Sequence, residues 1–130
     1  VALEAHFLDE KIASSSAKES AVLVRLGNIH YDRGEATREK GAEPGTSPEA
    51  RRAAESAARK SYSRALEYLY RAREVSPDRT DVLVKMAQCQ GQLGEFDMAV
   101  DNLDKYIAAC GERNDPFDDI VDPEVRRSPR

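Results

Sequence analysis

TDVLVKMAQCQGQLGEFDMAVDNLDKYIAACG, the stretch from Thr80 to Gly111, decides the fold, because an earlier part of the chain repeats its pattern. The earlier copy begins as AVLVRLGNIHYDRGE at Ala21 and, after an interruption, resumes as YSRALEYLYRAREVSP from Tyr62 to Pro77. In both copies apolar residues recur at the three- and four-residue spacing of an amphipathic helix. Each copy therefore predicts two helices joined by a turn, and the chain is predicted to be all-α.

Small and large residues stand at matched positions in the two copies. Small residues let two helices approach closely, and large apolar residues fill the space between them. Gly34 and Gly94 are predicted to adopt the left-handed backbone that closes the first helix of each copy, and Pro77 is predicted to stop the second helix of the first copy. The small positions are Gly27, Ala65, Ala72, Ala87 and Ala99, and the large ones are Leu26, Leu69, Met86 and Leu103.

This pattern resembles the tetratricopeptide repeat, a helix-turn-helix unit of about 34 residues. Two positions of the second copy depart from the family pattern, since Tyr106 stands where a small residue is usual and Gly111 replaces the closing proline. The resemblance implies antiparallel helix hairpins stacked as a short right-handed α-solenoid. The matches are Leu23, Leu26-Gly27, Gly34, Tyr62, Ala65, Leu69, Ala72 and Pro77 in the first copy, and Leu83, Met86-Ala87, Gly94, Phe96, Ala99 and Leu103 in the second.

An insertion at residues 37–61 separates the two helices of the first copy. The segment GAEPGTS, residues 41–47, has the composition of a turn, and Ser47, Pro48 and Glu49 suit the start of a helix. Good helix formers continue to Val75, which predicts a helix of about 28 residues and roughly 42 Å. The first helix is predicted to extend to Lys40, so that the insertion forms an elongated hairpin arm. The alternative is a frayed helix or a flexible loop.

Alanines recur along the predicted arm at helical spacing and give it a narrow stripe of small residues. Such a stripe favours close packing against another helix, either in this chain or in a partner. The arm residues that we select as candidates for partner contact are Ala50, Arg51, Ala54, Ala57 and Ala58.

Both ends of the chain are less regular than the repeats at residues 16–111. Residues 1–15 predict an N-terminal helix, as a cap or the remnant of a preceding repeat, with a break at Ser14–Ser16 and a capping box formed by Ser16 and Glu19. Because the chain opens on Val1 rather than Met, we expect an excised piece or a processed product. The tail at 112–130 is predicted to dock on the last helix through Phe117, Ile120, Val121 and Val125.

The composition limits the classes of function. The chain of 130 residues, with 40% hydrophobic and 34% charged side chains, has no run of about 18 apolar residues, so no membrane partner is expected. A net charge of −4 weighs against a dedicated nucleic-acid binder. The repeats place Cys89 and Cys110 about 15 Å apart along antiparallel helices, beyond the limit of about 7 Å for a disulfide. Free thiols are typical of a reducing compartment, so we expect an intracellular, cytoplasmic location.

The sequence has no pattern that predicts catalysis. His6 and His30 lie in different predicted helices, and neither belongs to a metal-spaced pair or accompanies a plausible nucleophile. The chain has no glycine-rich phosphate loop and no Cys-x-x-Cys motif. We therefore expect no catalytic residue, no metal site, no cofactor and no enzymatic activity.

The family resemblance implies a groove, lined by the first helix of each copy, that binds a protein or peptide partner. Arg25, Asn28 and Lys85 are suited to a carboxylate or to the backbone amides of an extended ligand. Fewer than three repeats seldom bury a self-sufficient core, so we expect a scaffold within a larger assembly, with homo-oligomerisation as an option. The groove positions, carried over by repeat alignment, are Val24, Arg25, Asn28, Val84, Lys85, Gln88 and Gln92.

A second hypothesis is contact with nucleic acid through the basic arm, residues 48–76. This segment holds seven arginines and lysines against four glutamates, which suits phosphate contacts. The basic residues are Arg51, Arg52, Arg59, Lys60, Arg64, Arg71 and Arg73.

Overall fold

The computed structural model describes the backbone of residues 2–112 and the side chains of residues 15–111. Within this range every regular element is helical, as the sequence predicts. The elements are α1 (Ala2–Gly41), α2 (Pro48–Val75), a 3₁₀ turn (Thr80–Val82), α3 (Leu83–Gln92) and α4 (Phe96–Glu112). The predicted docking of the tail through Phe117, Ile120, Val121 and Val125 lies outside the described residues.

Helix α1 runs without interruption from Ala2 to Gly41. The predicted break at Ser14–Ser16, and the new helix start capped by Ser16, are therefore wrong. A serine in a helix costs only about 0.5 kcal/mol relative to alanine, and no proline or glycine precedes Gly27. Three serines alone do not end a helix that continues on both sides.

Helices α1 and α2 form an antiparallel pair held at close distance by small residues of α1. Ser20, Gly27, Gly34 and Gly41 follow one another at intervals of seven residues and are all buried. A Cβ atom added at Gly27 would lie 2.7 Å from Leu69 Cδ2, and one added at Gly41 would lie 2.5 Å from Ala54 Cβ. The seven-residue spacing keeps this row facing one partner helix along its length.

Gly34 does not close the first helix, which corrects the prediction made from its repeat position. Positive φ angles occur in the described residues at Gly45 and Gly94, so the prediction for Gly94 is confirmed. Gly34 lies inside α1, where an added Cβ would stand 3.0 Å from the Tyr62 ring. It is small because α2 needs the space rather than because the backbone turns.

Helix α2 begins and ends where the sequence predicts. The Ser47 side chain accepts a hydrogen bond from the Ala50 amide, Pro48 occupies the first turn, and the helix ends at Val75 ahead of Pro77. The insertion is therefore an ordered extension of both helices rather than a frayed or flexible loop. At 28 residues, α2 is about 42 Å long.

The alanine stripe of the arm is only partly directed at α1. Ala58 is buried and Ala54 is partly buried, whereas Ala50, Ala53 and Ala57 are exposed. The contact row on α2 continues from Ala58 through the larger side chains that fill the spaces left by the glycines of α1. Its buried members are Ala58, Tyr62, Ala65, Leu69 and Ala72.

The second hairpin, α3 and α4, packs on α2 through two adjoining apolar clusters. Cys89 of α3 joins Ala58, Tyr62 and Ala65 in one of them. In the other, Leu69 packs against Val82, Leu83 and Met86, with Tyr106 of α4 at the margin. The core is thus a continuous layer between α2 and α3.

In each hairpin a contact between two side chains joins the two helices, and these contacts lie at equivalent positions of the two copies. In the first hairpin the His30 ring stacks on Tyr68 with 5.4 Å between ring centroids. In the second, Asn102 Nδ2 donates to Gln90 Oε1 at 2.7 Å. Gln90 Nε2 also donates to the Tyr70 hydroxyl at 3.0 Å, which satisfies this fully buried amide.

Two further properties of the described part of the chain bear on its environment. None of its helices combines the length and the apolar character needed to cross a membrane. Cys89, which is buried, and Cys110, which is partly buried, are both free thiols, as the repeat alignment predicts.

Candidate protein-binding surfaces

One side of α1 carries a row of side chains that continues across to α3. Asn28, Tyr31 and Glu35 follow one another at intervals of three and four residues and are partly buried, and Arg38 extends the row into solvent. Lys85 of α3 lies beside this row, with its Nζ atom 4.2 Å from the centroid of the Tyr31 ring. We call these five residues the polar surface.

The contact between Lys85 and Tyr31 joins the first helices of the two copies. An ammonium group held over an aromatic ring is attracted by the negative face of the ring. The contact therefore orients a cation of α3 above α1. It also restricts the Lys85 side chain, so less conformational entropy remains to be lost when a ligand binds there.

A hydrogen-bonded network of three residues forms the other end of the polar surface. The Tyr62 hydroxyl donates to Glu35 Oε1 at 2.6 Å, and Arg38 pairs with Glu35 Oε2 at 2.8 Å and donates from Nε to the Tyr62 oxygen at 3.3 Å. The hydrogen bonds from Arg38 and Tyr62 lower the pKa of Glu35. Burial and the hydrogen bond to Glu35 raise the pKa of Tyr62 to about 12. At neutral pH the network consists of a carboxylate, a guanidinium and a neutral phenol.

The seven groove residues predicted from the repeat alignment differ in their exposure. Arg25, Gln88 and Gln92 are exposed and available to a ligand. Val24 packs against the apolar cluster around Leu69, so its side chain serves the core as well as the surface. The other three, Asn28, Val84 and Lys85, are partly buried.

Three members of the polar surface escape the repeat alignment. Tyr31, Glu35 and Arg38 continue the row that starts at the predicted Val24 and Asn28. The signal was present in the sequence as helical spacing. The repeat pattern ends its first helix at Gly34, so the alignment assigns no groove position to Glu35 and Arg38, and Tyr31 is not one of the groove positions that the family resemblance implies.

The polar surface and its surroundings have the following chemical groups. Burial raises the pKa of the neighbouring Cys89 thiol to about 12, so the thiol is protonated and unreactive at neutral pH. Among the described residues no group of three or more His, Cys, Asp or Glu side chains is placed to hold a metal ion. The surface provides cationic and amide donors for carboxylates and for peptide carbonyls.

The arm contains a hollow where α1 and α2 come together. Its volume is about 230 Å³, and two predicted arm candidates, Arg51 and Ala54, contribute to it. Ala58 lies in the core, and Ala50 and Ala57 are exposed. The residues that line the hollow are Arg38, Gly41, Ala42, Arg51, Ala54 and Glu55.

The outer side of α2 carries a basic hollow, open to solvent, of about 500 Å³. Three cations, Arg59, Lys60 and Arg64, line it together with Ser56 and Ser63. Arg59 also donates to the Leu93 carbonyl oxygen at 3.3 Å. One of the cations predicted on the arm, Arg59, is therefore engaged by a carbonyl oxygen of the same chain.

No family model, no curated protein and no solved structure matches this chain. The function therefore has to be inferred from the residues and from the surfaces that they form.

Proposed function

We propose that this chain is a non-catalytic protein-binding module of the tetratricopeptide type. In this proposal its hairpins stack as a short right-handed α-solenoid, and it holds an extended, acidic peptide segment of a partner protein across the polar surface. The chain acts as a scaffold within a larger assembly. The observation that carries the proposal is the Lys85–Tyr31 contact of 4.2 Å, which unites the first helices of both copies in one binding surface.

The charges of this surface favour an acidic ligand. Arg25 is exposed and Lys85 is partly buried, so two cations border the row in addition to the Arg38–Glu35 ion pair. Glu35 is already bound by Arg38 and Tyr62, so its negative charge is neutralised locally. The amide side chains of Gln88 and Gln92 are exposed beside these cations and suit the backbone of an extended segment.

Selection from a peptide library tests the proposal. The full chain is immobilised, a phage-displayed library is selected on it, and the enriched peptides are titrated against the wild type and the Arg25→Glu/Lys85→Glu variant. We expect enrichment of acidic peptides and an affinity for the variant that is weaker by about tenfold or more, because two attractive charges become repulsive.

The matched control is Lys60→Glu/Arg64→Glu, which makes the same change of charge on the outer side of α2. This control should bind the selected peptides as the wild type does. The proposal fails if no peptide is enriched, or if the enriched peptides bind wild type and Arg25→Glu/Lys85→Glu with equal affinity.

A second candidate function, contact with nucleic acid, is favoured by the basic hollow of α2. Lys60 and Arg64 lie there without an opposing carboxylate among the residues that line it. Phosphate contacts through these residues predict binding that weakens steeply with added salt. Fluorescence polarisation with labelled single-stranded RNA and double-stranded DNA at low salt measures it.

In this measurement Lys60→Glu/Arg64→Glu is the test variant and Arg25→Glu/Lys85→Glu is the control. Lys60→Glu/Arg64→Glu should abolish the binding, and Arg25→Glu/Lys85→Glu should preserve it. If the wild type binds neither nucleic acid at low salt, the second candidate is excluded.

A further inference from the structure

The packing of α3 on α2 shows how the chain covers an apolar helix face. Tyr62 and Leu69 of α2 are fully buried, and Leu66 between them packs against the same clusters. Repeat alignment makes Phe96, Val100 and Leu103 of α4 their equivalents. Those residues are 67%, 57% and 40% exposed, and Ile107, one turn further, is 65% exposed. We call these four residues the α4 face.

The α3 side of the α2–α3 interface also has repeat equivalents in the first copy, and these equivalents are largely exposed. Val82, Met86 and Cys89 are buried where α3 and its preceding turn meet α2. Their equivalents in the first copy are Val22, Leu26 and Ile29 of α1. Val22 is 57% and Ile29 53% exposed, and Leu26 is partly buried. We call these three residues the α1 face.

The charges beside the two faces are opposite in their balance. Asp97, Asp101 and Asp104 are exposed along α4, with Lys105 bound to Asp101 at 3.2 Å. Beside the α1 face, the cations Lys18, Arg25 and Arg33 are exposed together with two carboxylates, Glu19 and Asp32, which leaves a balance of one positive charge. The acidic surround of the α4 face therefore attracts the basic surround of the α1 face.

We propose that the α4 face of one copy of this chain binds the α1 face of a second copy, so that the internal packing of α3 on α2 is repeated between chains. The contact joins two different surfaces, and each added copy leaves one of each face free. Association is therefore head-to-tail and grows with concentration rather than stopping at a symmetric dimer. This inference stands independently of the peptide partner proposed above.

The tail of the same chain suits the α4 face less well than a second copy does. Its apolar residues Phe117, Ile120 and Val121 stand among Asp115, Asp118, Asp119 and Asp122. Those aspartates would oppose the aspartates beside the α4 face. A second copy brings arginines there instead.

Complementation between two variants tests the head-to-tail contact. Val100→Asp disables the α4 face and Ile29→Asp the α1 face, both at exposed positions. Light scattering coupled to size exclusion follows the mass of the full chain from micromolar to millimolar concentration. The wild type should grow in mass, each variant alone should stay monomeric, and their equimolar mixture should form a complex of one copy of each. Each variant should weaken self-association by about tenfold or more.

Ala53→Asp, an exposed change on α2 outside both faces, is the control and should associate as the wild type does. Circular dichroism checks the fold, and Ile107→Asp and Val22→Asp replace either variant that unfolds. A wild type that stays monomeric at millimolar concentration overturns the proposal and would be expected if the tail covered the α4 face. Dimerisation of Ile29→Asp alone, or a mixture without a complex, overturns it as well.

Discussion

Gly27 lies where the α1 backbone comes closest to the core side chains of α2. An added Cβ would be 2.7 Å from Leu69 Cδ2, 2.8 Å from Leu69 Cγ and 3.3 Å from the Ala65 carbonyl oxygen. Leu69 is fully buried and packs against Val82, Leu83 and Met86. Glycine weakens the helix by about 1 kcal/mol relative to alanine, and the close approach of α2 outweighs that loss.

Replacement of this glycine by alanine should destabilise the protein. For Gly27→Ala the overpacking cost of about 1–3 kcal/mol exceeds the gain in helix propensity. Gly91 in α3 is the matched control, because nothing lies within 4 Å of its added Cβ. Gly91→Ala should raise the free energy of unfolding by about 0.5–1 kcal/mol. Urea denaturation measures both, and a Gly27→Ala protein as stable as Gly91→Ala would refute the close packing.

The two thiols should differ in reactivity towards a chromogenic disulfide reagent. The thiolate is the reactive form, and burial raises the pKa of Cys89 to about 12. At pH 8 in native buffer one thiol, Cys110, should react within minutes while Cys89 stays protected. Cys110→Ser should remove the fast phase, and denaturant should expose Cys89. Two fast thiols in the native protein would contradict the burial of Cys89.

At the level of single residues, sequence predicts the exposure of a side chain better than it predicts the neighbours of that side chain. Arg25, Gln88 and Gln92 follow from repeat alignment because exposure depends on the helix face alone. Lys85 follows as well, but its contact with Tyr31 depends on the distance between α1 and α3, which no spacing encodes. Gly34 was assigned to a turn since a glycine at the end of a repeat helix suits a turn and a close contact equally well.

Among the elements, the arm shows how strongly local chemistry fixes a helix boundary. Ser47, Pro48 and Glu49 determine where α2 starts, and all three signals lie within its first turn. The break predicted at Ser14–Ser16 depended on weak propensity and on the capping-box spacing of Ser16 and Glu19, with no proline or glycine to stop the preceding helix. Within the predicted alanine stripe, Ala54 and Ala58 lie on the side that α1 covers, and Ala50, Ala53 and Ala57 are exposed.

Loss of the Ser47 cap should loosen the tip of the arm without unfolding the body. Ser47→Ala removes the 3.1 Å hydrogen bond from the Ala50 amide, at a cost of about 1 kcal/mol. Amide exchange from Arg51 to Glu55 should accelerate about fivefold, since the tip opens separately from the core. Ser56→Ala, at an exposed position within α2, is the control and should leave these rates unchanged or slower. Unchanged rates in Ser47→Ala would contradict the capping role.

Across the whole molecule, Leu69 connects the two hairpins. It fills the space beside Gly27 of α1 and packs against Val82, Leu83 and Met86 on the other side. One side chain thus contacts the first hairpin and the second. The apolar pattern of the sequence predicts that Leu69 is buried, whereas its place at this junction depends on how the hairpins are oriented.

Removal of this side chain should weaken both hairpins together. Leu69→Ala is expected to cost about 2–5 kcal/mol, and amide exchange in α1 and α4 should accelerate by a common factor. Its repeat equivalent Leu103 is 40% exposed, so Leu103→Ala should cost about 1 kcal/mol or less in the monomer. If Leu69→Ala accelerates exchange in one hairpin only, the hairpins unfold separately and the shared core is refuted.

The small residues at seven-residue intervals on α1 do not by themselves determine the register of α1 along α2. Polar contacts determine it. A slide of α1 along α2 by one interval, about 10.5 Å, would bring one small residue to the place of the next. Shape alone therefore permits the slide that brings Gly27, Gly34 and Gly41 to the places of Ser20, Gly27 and Gly34, because each of those places then holds a glycine. Two contacts select the observed alignment: the Ser20 hydroxyl donates to the Ala72 carbonyl oxygen at 3.0 Å, and the Tyr62 hydroxyl donates to Glu35 at 2.6 Å. Each would lose its partner in a shifted alignment.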